Sequence, residues 1–400
     1  MRARPAAHRA ACLVAVLATV AALAGCRDAG EPAPGPLDVA WQEVALPAPP
    51  GAPGRIAVRD ALRCGDRWWL AGGVFLADPS PDRDSRPALW SSVDGVTWSA
   101  VPVRPTTYWG RRAILTSIAC SQDRIAVVGA RSGGAHGNPR VTTWRLQPAR
   151  GGSQPGELVD VVAASSQYGG DKATNVGPVT GGAGGFLIVG NRTSGPAVWL
   201  SADAREFTRV EAAAGLADDA RHRALAQAAV ASGTGWTVVG GGSTPGDVDR
   251  QPQAWRSSDG RSWSREKVPG SDAYEDLHRV VDRDGALLAL GLRGDRFGAW
   301  WRGDRWHEGA SFGDVDPAGG ASPFVASLTL TGRRIWTTVS DARRYGLWHS
   351  TDGVTWQPVP TPVTPATGGE RILAVAGAAD GVLLVGDDGE RGRVWRAPVS

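Results

Sequence analysis

Lysine is almost absent from this sequence of 400 residues: Lys172 and Lys267 are the only two among 43 basic residues, so nearly every cation is an arginine. Cysteine occurs four times, methionine once, and the six histidines are scattered. There is no CxxC pair, no Cys/His cluster at zinc spacing and no HExxH, so neither a metal nor a cofactor is expected. No apolar run reaches the roughly 20 residues that a membrane-spanning helix needs. The 43 basic residues nearly balance 40 acidic ones, and Arg2, Arg4 and Arg9 fall in an expected leader, which leaves the rest formally neutral. That balance excludes the basic footprint of a nucleic-acid-binding protein. What is abundant is turn material, 54 glycines and 28 prolines beside 42% hydrophobic residues, and this composition points to a turn-rich β protein.

Residues 1–25 have the parts of a secretory signal: a cationic start, an apolar stretch from Ala10 to Leu23, and small residues before Cys26. The string Leu23-Ala24-Gly25-Cys26 resembles the lipobox of bacterial lipoproteins. That resemblance implies cleavage before Cys26, acylation of its thiol, export, and anchorage to the outer face of the cell membrane. Residues 26–37 then read as the lipidated cysteine and a proline-rich tether, and residues 38–400 as the folded domain. With Cys12 in the leader and Cys26 acylated, Cys64 and Cys120 remain. They stand late in equivalent strands of neighbouring repeats, so they are expected to form an inter-repeat disulfide, the alternative being a buried apolar pair.

Tryptophans recur at Trp90, Trp144, Trp199, Trp255, Trp300, Trp348 and Trp395, spaced by 54, 55, 56, 45, 48 and 47 residues. Upstream of six of them lies a short apolar run ending in glycine, such as IAVVG from Ile125 or FLIVG from Phe186. Each unit reads as four short strands, a to d, and seven such units make an all-β, seven-bladed propeller of four-stranded blades. The last unit stops after strand c at RVWRAPVS, while AWQEVALP from Ala40 matches the strands d of other units. A ring closed by an N-terminal strand that completes the last blade explains both fragments and removes exposed sheet edges. Trp41 is then expected beside Trp395.

Between strands c and d, three units carry Ser-x-Asp-Gly-x-Thr-Trp or a close variant: Ser92, Asp94, Gly95 and Trp98; Ser258, Asp259, Gly260 and Trp263; Ser350, Asp352, Gly353 and Trp356. The segment resembles the Asp box, or BNR repeat, of sialidases and of many other secreted propellers. It lacks one residue that the familiar box has between Asp and Gly. A motif repeated around a ring supports each blade, so these residues are read as structural: Asp accepts backbone N–H bonds, Gly allows positive φ, and Trp packs between blades.

Chemistry is expected on the opposite face, formed by the d-to-a and b-to-c loops. The predicted b-to-c loops, the first at 76–86, hold 11 arginines and 10 acidic residues, which is a mixed rim and no anion funnel. All four tyrosines fall on this face, Tyr108, Tyr168, Tyr274 and Tyr345, and Trp109, Arg111 and Arg112 accompany the first. Arg131, Arg140, Arg192 and His136 form a local basic group without acids. Aromatic rings beside guanidinium groups suit an envelope protein or a glycan. The resemblance to sialidases implies an alternative, a tyrosine nucleophile with a carboxylate partner, and Tyr274 beside Glu275 and Asp276 is the nearest match. Neighbours on a strand point to opposite faces, which argues against a Tyr274–Glu275 couple. The Arg-Ile-Pro motif of sialidases is absent. The reading is a membrane-anchored, non-catalytic binding or assembly module, with a sialidase-like exo-glycosidase or carbohydrate-binding protein as the alternative.

Overall fold

The alternation of apolar and polar residues in each repeat produces seven antiparallel sheets arranged as the blades of a propeller. The computed structural model describes residues 37–133, 137–149, 156–233, 235–316 and 318–398. Cys26 and His136 lie outside the described residues. Blade 1 runs Gly54–Cys64, Arg67–Ser80, Arg83–Ser92 and Ser99–Val101 as strands a to d. Blade 2 runs Ile114–Ser121, Arg124–Ser132, Pro139–Gln147 and Glu157–Val161, and blade 3 Ala173–Gly182, Gly185–Arg192, Gly195–Ser201 and Thr208–Val210. Blade 4 comprises Arg223–Ser232, Gly235–Ser243, Gln251–Ser257 and Ser264–Glu266. Blade 5 comprises Glu275–Arg283, Ala286–Arg293, Arg296–Arg302 and Trp306–Asp314. Blade 6 is Phe324–Thr331, Arg334–Ser340, Tyr345–Ser350 and Gln357–Val359, and blade 7 is Ile372–Ala378, Gly381–Asp387 and Gly392–Ala397 with Gln42–Val44 as its strand d.

Closure is by the N-terminal strand. Gln42, Glu43 and Val44 pair antiparallel with Arg396, Trp395 and Val394. Glu43, and not Trp41, therefore stands opposite Trp395. Trp41 is half-buried at the seam of blades 6 and 7, where its Nε1 donates to the Pro360 carbonyl at 3.1 Å. Two other expectations change. The segment 76–86 is largely ladder, because strands b and c of blade 1 extend to Ser80 and Arg83. Blade 2 gains a fifth strand, Val103–Arg104, which pairs parallel with Glu157–Val161.

The core is divided among the blade interfaces. Seven hydrophobic clusters are present among the described residues, and each joins one blade to the next. The strand c tryptophans Trp90, Trp144, Trp199, Trp255 and Trp300 are fully enclosed, while Trp348 is half-buried. Cys64 and Cys120, at the ends of strands a of blades 1 and 2, are bonded to each other, with Cα atoms 5.7 Å apart. Among the described residues, no helix is long and apolar enough to cross a membrane.

Strand a is the inner edge of every blade, so part of its backbone has no ladder partner and must find one elsewhere. The preceding blade supplies it. Ile118 N–H donates to Asp60 Oδ2 (3.0 Å), Val179 N–H to Ser117 Oγ (3.2 Å), and Ala226 N–H to Asn191 Oδ1 (2.8 Å). Val325 N–H donates to His278 Nδ1 (3.0 Å), and Val375 N–H to Ser327 Oγ (2.9 Å). These polar side chains form a stapling ring around the axis. Their burial therefore has a structural cause, which matters when asking which polar groups remain for a ligand.

Candidate functional site

The three Ser-x-Asp-Gly turns share one geometry. In each, Oδ1 of Asp94, Asp259 or Asp352 accepts two successive N–H groups at 2.7 or 2.8 Å, from Val96 and Thr97, Arg261 and Ser262, or Val354 and Thr355. These backbone donors hold the Asp94 and Asp259 carboxyls down to about 2. The serine hydroxyl accepts the glycine N–H, and in the second turn that serine is Ser257 rather than the expected Ser258. The indole N–H of Trp98, Trp263 or Trp356 donates to the glycine carbonyl. Glycine is needed twice over. Gly95, Gly260 and Gly353 have φ of 73°, 72° and 75°, and a Cβ there would press on Arg396, Leu200 or Trp301 of the preceding blade. The turns are thus seats between blades. Asp94→Ala and Asp352→Ala are each expected to lower the unfolding free energy by about 1 to 2 kcal/mol through lost turn hydrogen bonds. Urea unfolding measures this, and unchanged midpoints in both variants would refute the assignment.

The opposite face gathers two constellations at the mouth of the channel. The first spans blades 7, 1 and 2. Arg55 Nη1 and Arg59 Nη1 grip the buried Asp387 at 2.8 and 2.7 Å, and Arg59 Nη2 reaches Glu370 at 2.7 Å. Glu370 also meets Arg131 (3.3 Å), which shares Asp84 with Arg112 at 2.7 and 3.1 Å. Arg112 donates to the Tyr108 hydroxyl (2.8 Å), which donates in turn to Asp82 (2.9 Å). Phe75 lies between the Arg55 and Arg131 guanidinium groups, 4.6 and 5.0 Å from its ring centre. Four arginines meet three carboxylates, and a fourth, Asp82, is reached through the Tyr108 hydroxyl. The network locks three blades together and leaves no set of three arginines free to clamp a carboxylate ligand.

Of the other expected contact residues, Trp109 lies over Gly133, edge-on to Tyr108 at 4.9 Å, with the Arg112 and Arg140 guanidinium groups 5.4 and 5.8 Å from its ring. Arg111 is exposed and donates to the Thr106 carbonyl. The short helix carrying them, Tyr108–Arg112, is held by Asp160, which accepts from the backbone and hydroxyls of Thr106 and Thr107; no sequence signal marked it. Arg192 pairs with Glu211 at 2.8 Å, so it does not join a basic group. Tyr168 and Tyr345 are buried, donating to Thr143 Oγ1 and to the Arg371 carbonyl, and Tyr168 also lines two recesses beside Arg140.

The second constellation lies between blades 4, 5 and 6. Strand period places Tyr274, Asp276 and His278 on one face of the blade 5 inner strand and its lead-in, and Glu275 on the other. Glu275 is indeed turned away, accepting from the Ser271 N–H and hydroxyl. Arg250 Nη1 donates to Asp276 Oδ2 (2.8 Å) and to the Tyr274 hydroxyl (3.2 Å). Asp276 is 1% exposed, and its Oδ1 makes no hydrogen bond. Burial pushes its carboxyl up to about 6, against the pull of Arg250. Burial, then the Asp276 charge, also raises the Tyr274 hydroxyl. His278 is pushed down to about 3 by burial and by Arg279 and Arg250, so its imidazole is neutral; since Nδ1 accepts from Val325, the proton sits on Nε2. Around these groups opens a recess of about 600 Å³, also lined by Gln227, Pro323 and Phe324. The run Tyr274-x-Asp276-x-His278 carried the signal for this site, because alternate polar residues leading into an inner strand share one face.

No protein-family model matches the chain, and no curated protein matches it. Solved propellers are similar in shape. The β-propeller domain of the Trilobed protease from Pyrococcus furiosus superposes with a TM-score of 0.49 at 11% identity, covering 86% of this chain and 95% of that one. Trypanosoma rangeli sialidase gives 0.47 at 11%, over 90% of this chain and 60% of its own. Pyrococcus horikoshii acylaminoacyl peptidase gives 0.48 at 9%, over 86% and 52%. At such low identity none of these carries a function across.

Proposed function

We propose that the chain is an exported propeller, anchored to the outer face of the cell membrane through a lipid on Cys26, that acts as a non-catalytic binding module with the channel mouth as its ligand side. The observation behind this reading is the recess at blades 4 to 6, where Tyr274, Pro323 and Phe324 stand beside the Arg250–Asp276 pair and the neutral His278, whereas the channel-mouth arginines of blades 1 and 2, Arg55, Arg59, Arg112 and Arg131, are already matched by carboxylates. Asp-box character of the Ser-x-Asp-Gly turns belongs to the same reading, as blade supports. A sialidase-like glycosidase is the second reading, favoured by the pairing of Tyr274 with an acid on its own strand face. Against it, the Tyr274 hydroxyl is held by Arg250 and is harder to ionise than usual.

Two experiments test the proposal. The soluble domain should release no fluorophore from a fluorogenic sialoside above the blank; release that disappears in Tyr274→Phe would establish the enzyme instead. Metabolic labelling with a palmitate analogue should mark the full chain, and Cys26→Ser should lose essentially all of the label. Equal labelling of both would remove the anchor.

A further inference from the structure

Arg140 carries a charge that the folded ring does not compensate. It stands near the start of strand c of blade 2, directly opposite Arg131 on strand b. Arg131 is held by Asp84 and Glu370. With Arg55, Arg59 and Arg112 it belongs to a network in which Asp84, Glu370 and Asp387, and Asp82 through the Tyr108 hydroxyl, supply one negative charge for each arginine. Arg192 on the next blade is taken by Glu211. Half-buried Arg140 forms no ion pair and no hydrogen bond among the described residues. Its guanidinium carbon lies over the Trp109 ring, 5.8 Å from the centre. The Nε is enclosed and beyond a ligand's reach, whereas the two Nη groups remain open.

Two recesses of about 180 and 220 Å³ open beside it on the loop face, outward from the channel mouth. Arg140, Val141 and Tyr168 line both, and among the described residues no carboxylate lines either. The walls of the first are otherwise mostly apolar, from Trp109, Pro139, Val161 and Ala163. Trp109 is set in place by Gly133, where a Cβ would strike the indole, and by its edge contact with Tyr108. An arginine with both Nη groups unbonded presents two parallel donors, which match the two oxygens of a carboxylate. Partly withdrawn from water, that attraction is stronger than it would be at an open surface. The apolar walls add nothing for a bare hydrated anion and favour one that carries an apolar body.

We infer that the recess between Trp109 and Arg140 binds an organic carboxylate, which accepts from the Arg140 Nη groups while an aromatic or branched aliphatic body lies against Trp109 and Pro139. This goes beyond the reading above: it adds a second site on the same face, and it does not depend on the recess at blades 4 to 6. A free carboxylic acid and the C-terminal residue of a peptide offer the same group beside the same kind of apolar body.

Titration calorimetry of the full chain in a non-ionic detergent tests this with phenylacetate, its neutral amide phenylacetamide, N-acetyl-alanyl-phenylalanine as a chain end, and inorganic phosphate. One or both of the organic acids should bind roughly tenfold or more tightly than phenylacetamide and phosphate. Arg140→Gln should remove that preference while the melting temperature stays within a few degrees. Arg140→Lys keeps the charge without the fork and should fall between the two. Gly133→Ala displaces Trp109 and leaves Arg140 in place, so it too should weaken the acids. Binding of phenylacetate would assign a free acid and binding of the dipeptide alone a chain end, and either supports the inference. Equal binding of phenylacetate and its amide, phosphate held as tightly as the acids, no binding of either acid, or acids indifferent to Arg140→Gln would overturn it.

Discussion

Deleting residues 38–47 is expected to lower the melting temperature by roughly 10 °C, the largest effect of any local change in the chain. The deletion removes the strand paired with Gly392–Ala397 and with it the closure between the last blade and the first. Val44, 6% exposed, leaves the blade 7 to blade 1 interface, and Val39 and Trp41 leave the seam of blades 6 and 7. The loss also reaches blade 1, because Trp90, fully buried, donates its indole N–H to the Pro47 carbonyl at 2.9 Å and would be left without an acceptor. Together these amount to about 5 kcal/mol, from lost apolar burial and one stranded buried donor. Trp41→Ala alone should fall well short of that, at about 2 kcal/mol, since the ring is half-buried. Thermal unfolding of the two variants measures both, and a deletion that melts with the intact protein would mean that the ring is held without this strand.

Reducing or removing the Cys64–Cys120 bond should lower stability by about 4 kcal/mol. The bond closes a segment with a sequence separation of 56 residues, and constraining a loop of that length removes much of the unfolded chain's freedom. The geometry suits the link: the inner strands of blades 1 and 2 end side by side, and the Cα separation of 5.7 Å lies in the range that disulfides occupy. It also explains why Asp123, close to both sulfurs, does not complete a metal site, because bonded sulfurs have no thiolate to offer. Denaturant unfolding of Cys64→Ala/Cys120→Ala against the parent gives the number. Mass spectrometry of the denatured, unreduced protein should find no alkylatable thiol on either residue, and two alkylated cysteines would contradict the bond.

The fold was legible because it repeats. One tryptophan per strand c is a strong signal when seven of them fall at near-constant spacing, and the two incomplete ends of the chain told how the ring closes. Features that occur once were harder to read. The strand Val103–Arg104 is two residues long and leaves no alternation to detect. The second turn reads as Ser258-Asp259 in the sequence, yet in the other two turns the serine lies two residues before the aspartate, and the serine that fills that place is Ser257, which is 4% exposed. Loop position located the tyrosines on the correct face but could not tell exposure: Tyr168 ends a short helix that folds back over blade 3 and stacks obliquely on Trp199, 5.9 Å away, while Tyr108 stays 41% exposed. The arginines of blades 1 and 2 looked like candidate ligand contacts because two of their acids, Glu370 and Asp387, come from blade 7 and its lead-in loop at the far end of the sequence, and only the closed ring brings them together. Most of the recess around Asp276 was hidden for the same reason, since Arg250, His278 and Phe324 belong to successive blades.

The channel-mouth face of the propeller, and not the face of the Ser-x-Asp-Gly turns, is expected to meet the ligand. Hydrogen–deuterium exchange of the soluble domain, with and without the fraction of an envelope extract that the domain retains, reads this directly. Protection is expected in peptides covering residues 247–251, 271–279 and 322–326, with the Ser-x-Asp-Gly turns unchanged. Protection confined to residues 93–98, 257–263 and 351–356 would place the ligand on the opposite face and contradict it.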